Sequence, residues 1–246
     1  MAQNELCLNA DKTHLMIAGT AQRVSNASIE QSVRVQMDGV VLSESEEKCE
    51  KLLGVVFQSN LKWNKHIQEL ELKLKTRLTG LRKIKCFISL KLRKIVAESI
   101  FQSILSYCIA VWGGAGKGEI EGLQILQNQA ARIVLNVPQR TSRVQLFKSL
   151  SWLSVNQLIA FQRLLAVYNI RRSKEPEYLA DFLTRENFRK KIIIPKTNLS
   201  LLKKSFVFVG AELWNSLPQE IRFLENQQKF KTELRKWIAL NVPLFQ

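Results

Sequence analysis

A chain of 246 residues with 46% apolar and 24% charged positions, and only 10 Gly and 5 Pro, has the composition of one or two folded domains, not of a disordered tail. Lys and Arg number 37 against 21 Asp and Glu, giving +16 and a pI near 9.9, the balance of a surface that meets polyanions. Two histidines, four cysteines with no C-x-x-C pair and three scattered aspartates (Asp11, Asp38, Asp181) argue against a zinc site or a carboxylate metal pair.

Thiols spaced this widely, behind an N-terminus with no basic and apolar leader, fit a reducing intracellular compartment, nucleus or cytoplasm, without disulfides. No membrane association is expected. The longest apolar stretch, Ile100 to Trp112, is interrupted by Gln102, Ser103 and Ser106 and falls short of the ~20 residues a bilayer demands, so it reads as a buried helix.

Charge divides the chain. Residues 1–60 hold five basic and eight acidic residues, a net of −3, so the remainder carries 32 basic and 13 acidic residues, +19. The acidic part reads as about four short strands. Val33, Val35 and Met37 alternate with polar residues, Asp38-Gly39 supplies a tight turn, and Val40-Val41-Leu42 returns, which predicts a hairpin. His14 to Gly19 and the run Leu52-Leu53-Gly54-Val55-Val56-Phe57 read as two further strands.

The basic part reads as helices. Trp63, Ile67, Leu70, Leu74, Leu78, Leu81 and Ile84 recur at steps of three or four and form one apolar stripe, with Asn60 or Asn64 as a cap. His66 is expected to pack beside Trp63. Leu92, Ile95, Val96, Ile100, Ile104, Tyr107 and Val111 predict a second helix ending at Gly113-Gly114-Ala115-Gly116. Ile120, Leu123, Leu126, Ala130, Ile133 and Val134 predict a third that stops near Pro138. Short connections between these imply an antiparallel bundle.

Val155, Leu158, Ile159, Leu165 and Tyr168 share a further helix, followed by a basic turn from Arg171 to Pro176. Segment 184–205 gathers Arg185, Arg189, Lys190, Lys191, Lys196, Lys203 and Lys204 around Ile192-Ile193-Ile194-Pro195, an exposed strand or a mobile arm. Phe230, Leu234, Trp237 and Ile238 predict the last helix. The five tryptophans all lie in apolar periodic stretches and are expected in the core, not as base-stacking platforms. The expected class is α+β: mainly α, with a small N-terminal antiparallel β portion followed by a basic helical bundle.

Several motifs occur in a familiar order. Leu8-Asn9-Ala10-Asp11-Lys12-Thr13, the hairpin, Lys51-Leu52-Leu53-Gly54-Val55 and Leu61-Lys62-Trp63-Asn64-Lys65-His66-Ile67 are followed by Val111-Trp112-Gly113 and Leu123 to Arg132. Leu150-Ser151-Trp152-Leu153, Pro176-Glu177-Tyr178-Leu179 and Leu213-Trp214-Asn215-Ser216-Leu217-Pro218 complete the series. This order resembles the end of the palm, the thumb and the following region of the reverse transcriptase of non-LTR (LINE-type, jockey-like) retrotransposons.

The resemblance implies a palm remnant with a primer-grip hairpin over 1–59, a helical thumb over 60–138 and a basic helical extension over 139–246. It implies that the polymerase carboxylates and their Mg²⁺ lie upstream, leaving no cofactor in this chain. Leu53, Gly54 and Val55 match the primer-grip motif, although residue 52 is Leu where the family more often has an aromatic. Lys12 matches a lysine near the incoming nucleotide's phosphates, with a solvated turn lysine as the plainer alternative. The partners implied are RNA or an RNA–DNA duplex, held through phosphates, and the missing upstream fingers and palm.

The residues expected to hold phosphates are Lys65, Lys73, Lys75, Arg77, Arg82, Lys83 and Lys85 on the thumb-like helix, with Arg189, Lys190 and Lys191 beyond it. Two rivals stand beside this expectation: a non-catalytic protein–protein or structural module from a truncated or decayed element, and an acidic-membrane surface binder.

Overall fold

The computed structural model describes residues 13–19, 35–37, 40–42, 48–194 and 196–244. Leu8 to Lys12 of the first motif and the Asp38-Gly39 turn lie outside them. The fold is mainly helical with a small antiparallel β part near the N-terminus. Two compact units divide it, Met1–Glu69 and Leu70–Gln246.

In the first unit, β1 (Val35–Met37) pairs antiparallel with β2 (Val40–Leu42), Met37 opposite Val40, as the alternation predicts. A second hairpin joins β3 (Cys49–Leu52) to β4 (Val55–Gln58). This corrects the single strand expected over 52–57. Leu53 and Gly54 have φ of 47° and 82°, the left-handed pair of a tight hairpin turn, so the run folds back on itself at its only glycine. Val55 and Val56 are buried, whereas Leu53 at the tip is 81% exposed.

Residues 13–19 form no regular strand, and Gly19 N–H donates to Ser59 O at 2.8 Å. His66 is buried: its Nδ1 accepts from Val56 N–H at 3.3 Å and its ring meets Trp63 edge-on at 6.4 Å. It ties hairpin to helix and is no free base.

The first helix, α1 (Asn64–Ile84), buries Ile67, Leu70, Leu74, Leu78 and Leu81, the predicted stripe. Its first turn is capped by neither expected asparagine. Gln58 Oε1 accepts from Lys65 N–H at 3.0 Å, while Asn60 Oδ1 accepts from Lys62 N–H in the preceding turn.

The second predicted helix is real but faces the other way. Helix α2 (Leu90–Ala97) runs through a π-helical segment (Glu98–Gln102) into α3 (Ser103–Ser106), and the buried residues are Ala97, Phe101 and Leu105. Leu92, Ile95, Tyr107 and Val111 of the expected stripe are 46–52% exposed. Steps of four residues drift by about 40° per step in a regular helix, and the wider π turn absorbs that drift. The chain then breaks at Cys108 (φ 50°) before α4 (Ile109–Trp112), where Trp112 Nε1–H donates to Tyr107 O at 2.8 Å.

Helix α5 (Lys117–Leu135) ends at left-handed Asn136 and buries all six predicted residues. It runs in the same direction as α1: Glu71 lies beside Gly122, Arg82 bonds Gln129 and Lys85 bonds Asn136. This is the order of first and third helices in an up-down-up arrangement. A Cβ on Gly122 would sit 2.7 Å from Glu71 Oε1, the movable end of a flexible side chain.

Helices α6 (Arg143–Leu150) and α7 (Val155–Ser173) follow, with Ser154 and Gln157 forming a capping box at the start of α7. The remaining helices are α8 (Glu177–Leu183), α9 (Ser200–Lys203), α10 (Phe206–Ser216), α11 (Gln219–Arg222) and α12 (Gln227–Asn241). Helix α7 is the axis of the second unit. Leu164, Val167 and Tyr168 on it pack with Trp214, Phe230, Leu234 and Ile238, and the Tyr168 and Phe230 rings stack at 4.1 Å. Of the five tryptophans expected in the core, Trp112, Trp152 and Trp214 are buried, whereas Trp63 and Trp237 are half-buried.

Arg163 is also buried here. Its Nε–H donates to Ala110 O at 3.2 Å, and burial lowers the guanidinium pKa from its ordinary value.

Candidate nucleic-acid interface

At roughly 100° per residue the cations of α1 do not share one face. Lys73 and Arg77, one turn apart, lie on one flank of the buried stripe, Lys75 and Arg82 on the other, and Lys83 opposite it. Lys75 is paired with Glu71 at 3.1 Å, Arg82 donates to Gln129 Oε1 at 3.1 Å and, just past the helix, Lys85 donates to Asn136 Oδ1 at 3.3 Å. Lys73, Arg77 and Lys83 are exposed and have no hydrogen-bond or ion-pair partner among the described residues. Lys65 stands apart in the first unit, its Nζ 3.2 Å from Cys49 Sγ.

Within the second predicted cluster, residues 186–192 form a turn instead of an extended strand. Glu186 and Ile192 form a single antiparallel bridge, and the residues between them make a tight turn with Lys190 at φ 56°. Asn187 builds the turn from inside. Its Oδ1 accepts from Arg189 N–H at 2.9 Å and Lys191 N–H at 3.1 Å, and its backbone N–H donates to Lys191 O.

The core holds this turn from beneath. Asn215 on α10 takes both backbone groups of Ile192, accepting from its N–H at 2.8 Å and donating to its C=O at 2.9 Å. Ile192 itself is buried. Arg171 pairs with Glu186, donates to Leu183 O and lies 5.1 Å over the Trp214 ring. Arg222 donates to Lys190 O. The expected basic turn at 171–176 is corrected accordingly: Arg171 belongs to the last turn of α7 and braces the fold.

The side chains on the tip point outward. Arg185, Arg189, Lys190 and Lys191 are exposed, and Phe188 among them is 88% exposed with the Arg189 guanidinium 5.2 Å from its ring centroid. Cations around an open aromatic face give phosphates and a base something to meet at once. Sequence reasoning missed Phe188, Asn187 and Asn215. An aromatic set among basic residues was a readable signal for the first; the clamp by Asn215 spans 23 residues and had none.

Leu53 and Gly54 occupy a hairpin tip, and only Val55 of the three primer-grip-like residues lies in a strand. Among the described residues no group of three or more His, Cys, Asp or Glu is placed to hold a metal, and no helix is long and apolar enough to cross a membrane.

Compared with known proteins, the chain is 25% identical over 129 residues to a protein of Drosophila melanogaster described as "Probable RNA-directed DNA polymerase from transposon BS". The match covers 51% of this chain and 14% of that protein, and it supports a relationship to reverse transcriptases at the family level. No family model matches the chain, and no solved structure matches it.

Proposed function

We propose that the chain is part of the reverse transcriptase of a non-LTR retrotransposon and holds RNA or an RNA–DNA duplex by its phosphates. The division into palm end (1–59), thumb (60–138) and basic extension (139–246) belongs to this proposal. So does residence in the nucleus or cytoplasm. The similarity to a transposon polymerase supports the family, and the order of motifs from Leu8 to Pro218 supports the non-LTR class.

The observation that carries nucleic-acid binding is the set of exposed cations with no hydrogen-bond or ion-pair partner among the described residues: Lys73, Arg77 and Lys83 on α1, and Arg189, Lys190 and Lys191 on the tip. Free cations release counterions when they meet phosphates, which makes binding strong at low salt and tolerant of sequence. The 246 residues contain no adjacent aspartate pair. In the proposed enzyme, therefore, Mg²⁺ and the nucleotidyl chemistry belong to the upstream palm.

The test is binding of a labelled RNA–DNA duplex across a salt series. Replacing Lys73, Arg77 and Lys83 together by Gln is expected to lower the slope of log K against log salt by about 2 to 3. An unchanged slope, or nucleotide incorporation by this chain alone in primer extension with Mg²⁺ or Mn²⁺, overturns the reading. One observation favours a protein–protein module as the second reading: Phe87, Leu90, Leu92 and Ile95 stand 47–85% exposed around α2.

A further inference from the structure

A groove of about 820 Å³ lies between α6, the start of α7 and α12, apart from the basic tip and α1. Its floor includes buried Phe147 and Leu153, and its lips carry Val144 and Leu240, which are 52% and 85% exposed. A leucine so open adds little to the core beneath it and stands where an apolar partner would cover it.

The walls are helical. From Gln228 to Leu240, α12 lines the groove at steps of three and four, a length of roughly 18 Å at 1.5 Å per residue. The facing wall repeats the same stride on α6, from Val144 through Phe147 to Ser151 just past its end. A trough about three turns long between two helix faces has the shape that takes the ridge of a third helix.

Charge defines that helix. Lys148, Lys231, Arg235 and Lys236 stand on the rim, and none of the lining residues is acidic. Arg235 donates to Ser151 O and Lys236 pairs with Glu233, whereas Lys148 and Lys231 have no partner among the described residues. A nucleic acid is a poor match: phosphates gain nothing from Val144 and Leu240, and of the rings lining the groove Phe147 and Trp152 are buried at 2% and 7% exposure and Phe161 is half-buried, leaving little open ring for a base.

We propose that this groove docks an acidic amphipathic helix of a partner protein, its apolar stripe in the trough and its carboxylates facing Lys148 and Lys231. The site is independent of the nucleic-acid reading.

The test uses the full chain and two fluorescent peptides of about 16 residues with identical Leu, Ala and Glu composition. One places Leu at i, i+3, i+4 and i+7 between Glu flanks; the other scrambles the stripe. Anisotropy at physiological salt is expected to show saturable binding of the patterned peptide, about tenfold or more tighter than the scrambled one. Leu240→Glu and Val144→Glu are each expected to weaken it about tenfold, and Lys231→Glu about fivefold.

Both apolar positions are exposed, so melting temperature and RNA–DNA duplex binding should stay unchanged in these variants. No binding, equal binding of the two peptides, or patterned binding that survives Leu240→Glu and Val144→Glu overturns the proposal. Loss of duplex binding in those two variants also overturns it and assigns the groove to nucleic acid.

Discussion

The two basic regions of the second unit carry their charge in opposite ways. On α1 the backbone is a regular helix and the cations divide: Lys75 and Arg82, with Lys85 just beyond, reach back to Glu71, Gln129 and Asn136, while Lys73, Arg77 and Lys83 do not. At the 186–192 turn the backbone is what is tied, by Asn187 from within and by Asn215 and Arg222 from the core, and every cation on the tip points out. Charge count alone ranks α1 higher. Partner inventory ranks the turn higher, because a cation already held by a neighbour must give up that contact before it can meet a phosphate.

The largest effect expected on this contrast comes from the clamp. Asn215→Ala leaves the N–H and C=O of buried Ile192 without partners, at about 1–3 kcal/mol for each group. Denaturant unfolding should show the loss, and duplex binding should fall with it although no cation has been touched. Full stability in this variant would mean that the turn holds its shape without the core.

Arg171→Met probes the same support from the other side. It removes the pair with Glu186, the bond to Leu183 O and the contact over Trp214. About 1.5–3 kcal/mol is expected in unfolding free energy, the range for hydrogen bonds to charged groups. If Arg171 is instead a phosphate contact, the variant lowers the salt slope of binding and leaves stability in place.

Phe188→Ala tests the tip itself. At 88% exposure the ring contributes little to the fold, so unfolding should move by less than about 0.5 kcal/mol. Binding of single-stranded RNA should weaken by about 1–3 kcal/mol if a base stacks there. The matching change on α1 has no aromatic to remove, which makes this the variant that separates the two regions by ligand form.

How much of this was legible in the sequence follows from the range of each signal. The stripe of α1 and the six buried positions of α5 were readable because each helix has one apolar and one polar face. Helix α2 misled because both of its faces are apolar, so periodicity alone does not choose between Ala97-Phe101-Leu105 and Leu92-Ile95. The run 52–57 misled because a turn residue sat inside an apolar stretch, and Leu53 at positive φ carries no sign of it. At the site, the basic residues were visible and their partners were not: Gln129, Asn136 and Asn215 lie 23–51 residues away from the groups they hold.

The smallest expected effect decides whether tethering matters at all. Lys75→Gln removes an i, i+4 pair whose lysine is 56% exposed, and such pairs contribute about 0.3–0.5 kcal/mol to stability. Its effect on duplex binding should be smaller than that of Lys73→Gln, two residues away on the opposite flank and without a hydrogen-bond or ion-pair partner among the described residues. Each is one positive charge on the same helix, so a purely electrostatic field would weaken equally with either loss. Unequal losses, largest for Lys73, indicate phosphate contact by the free side chains. Equal losses reduce α1 to a diffuse positive surface and leave the tip at 186–192 as the place where contact is made.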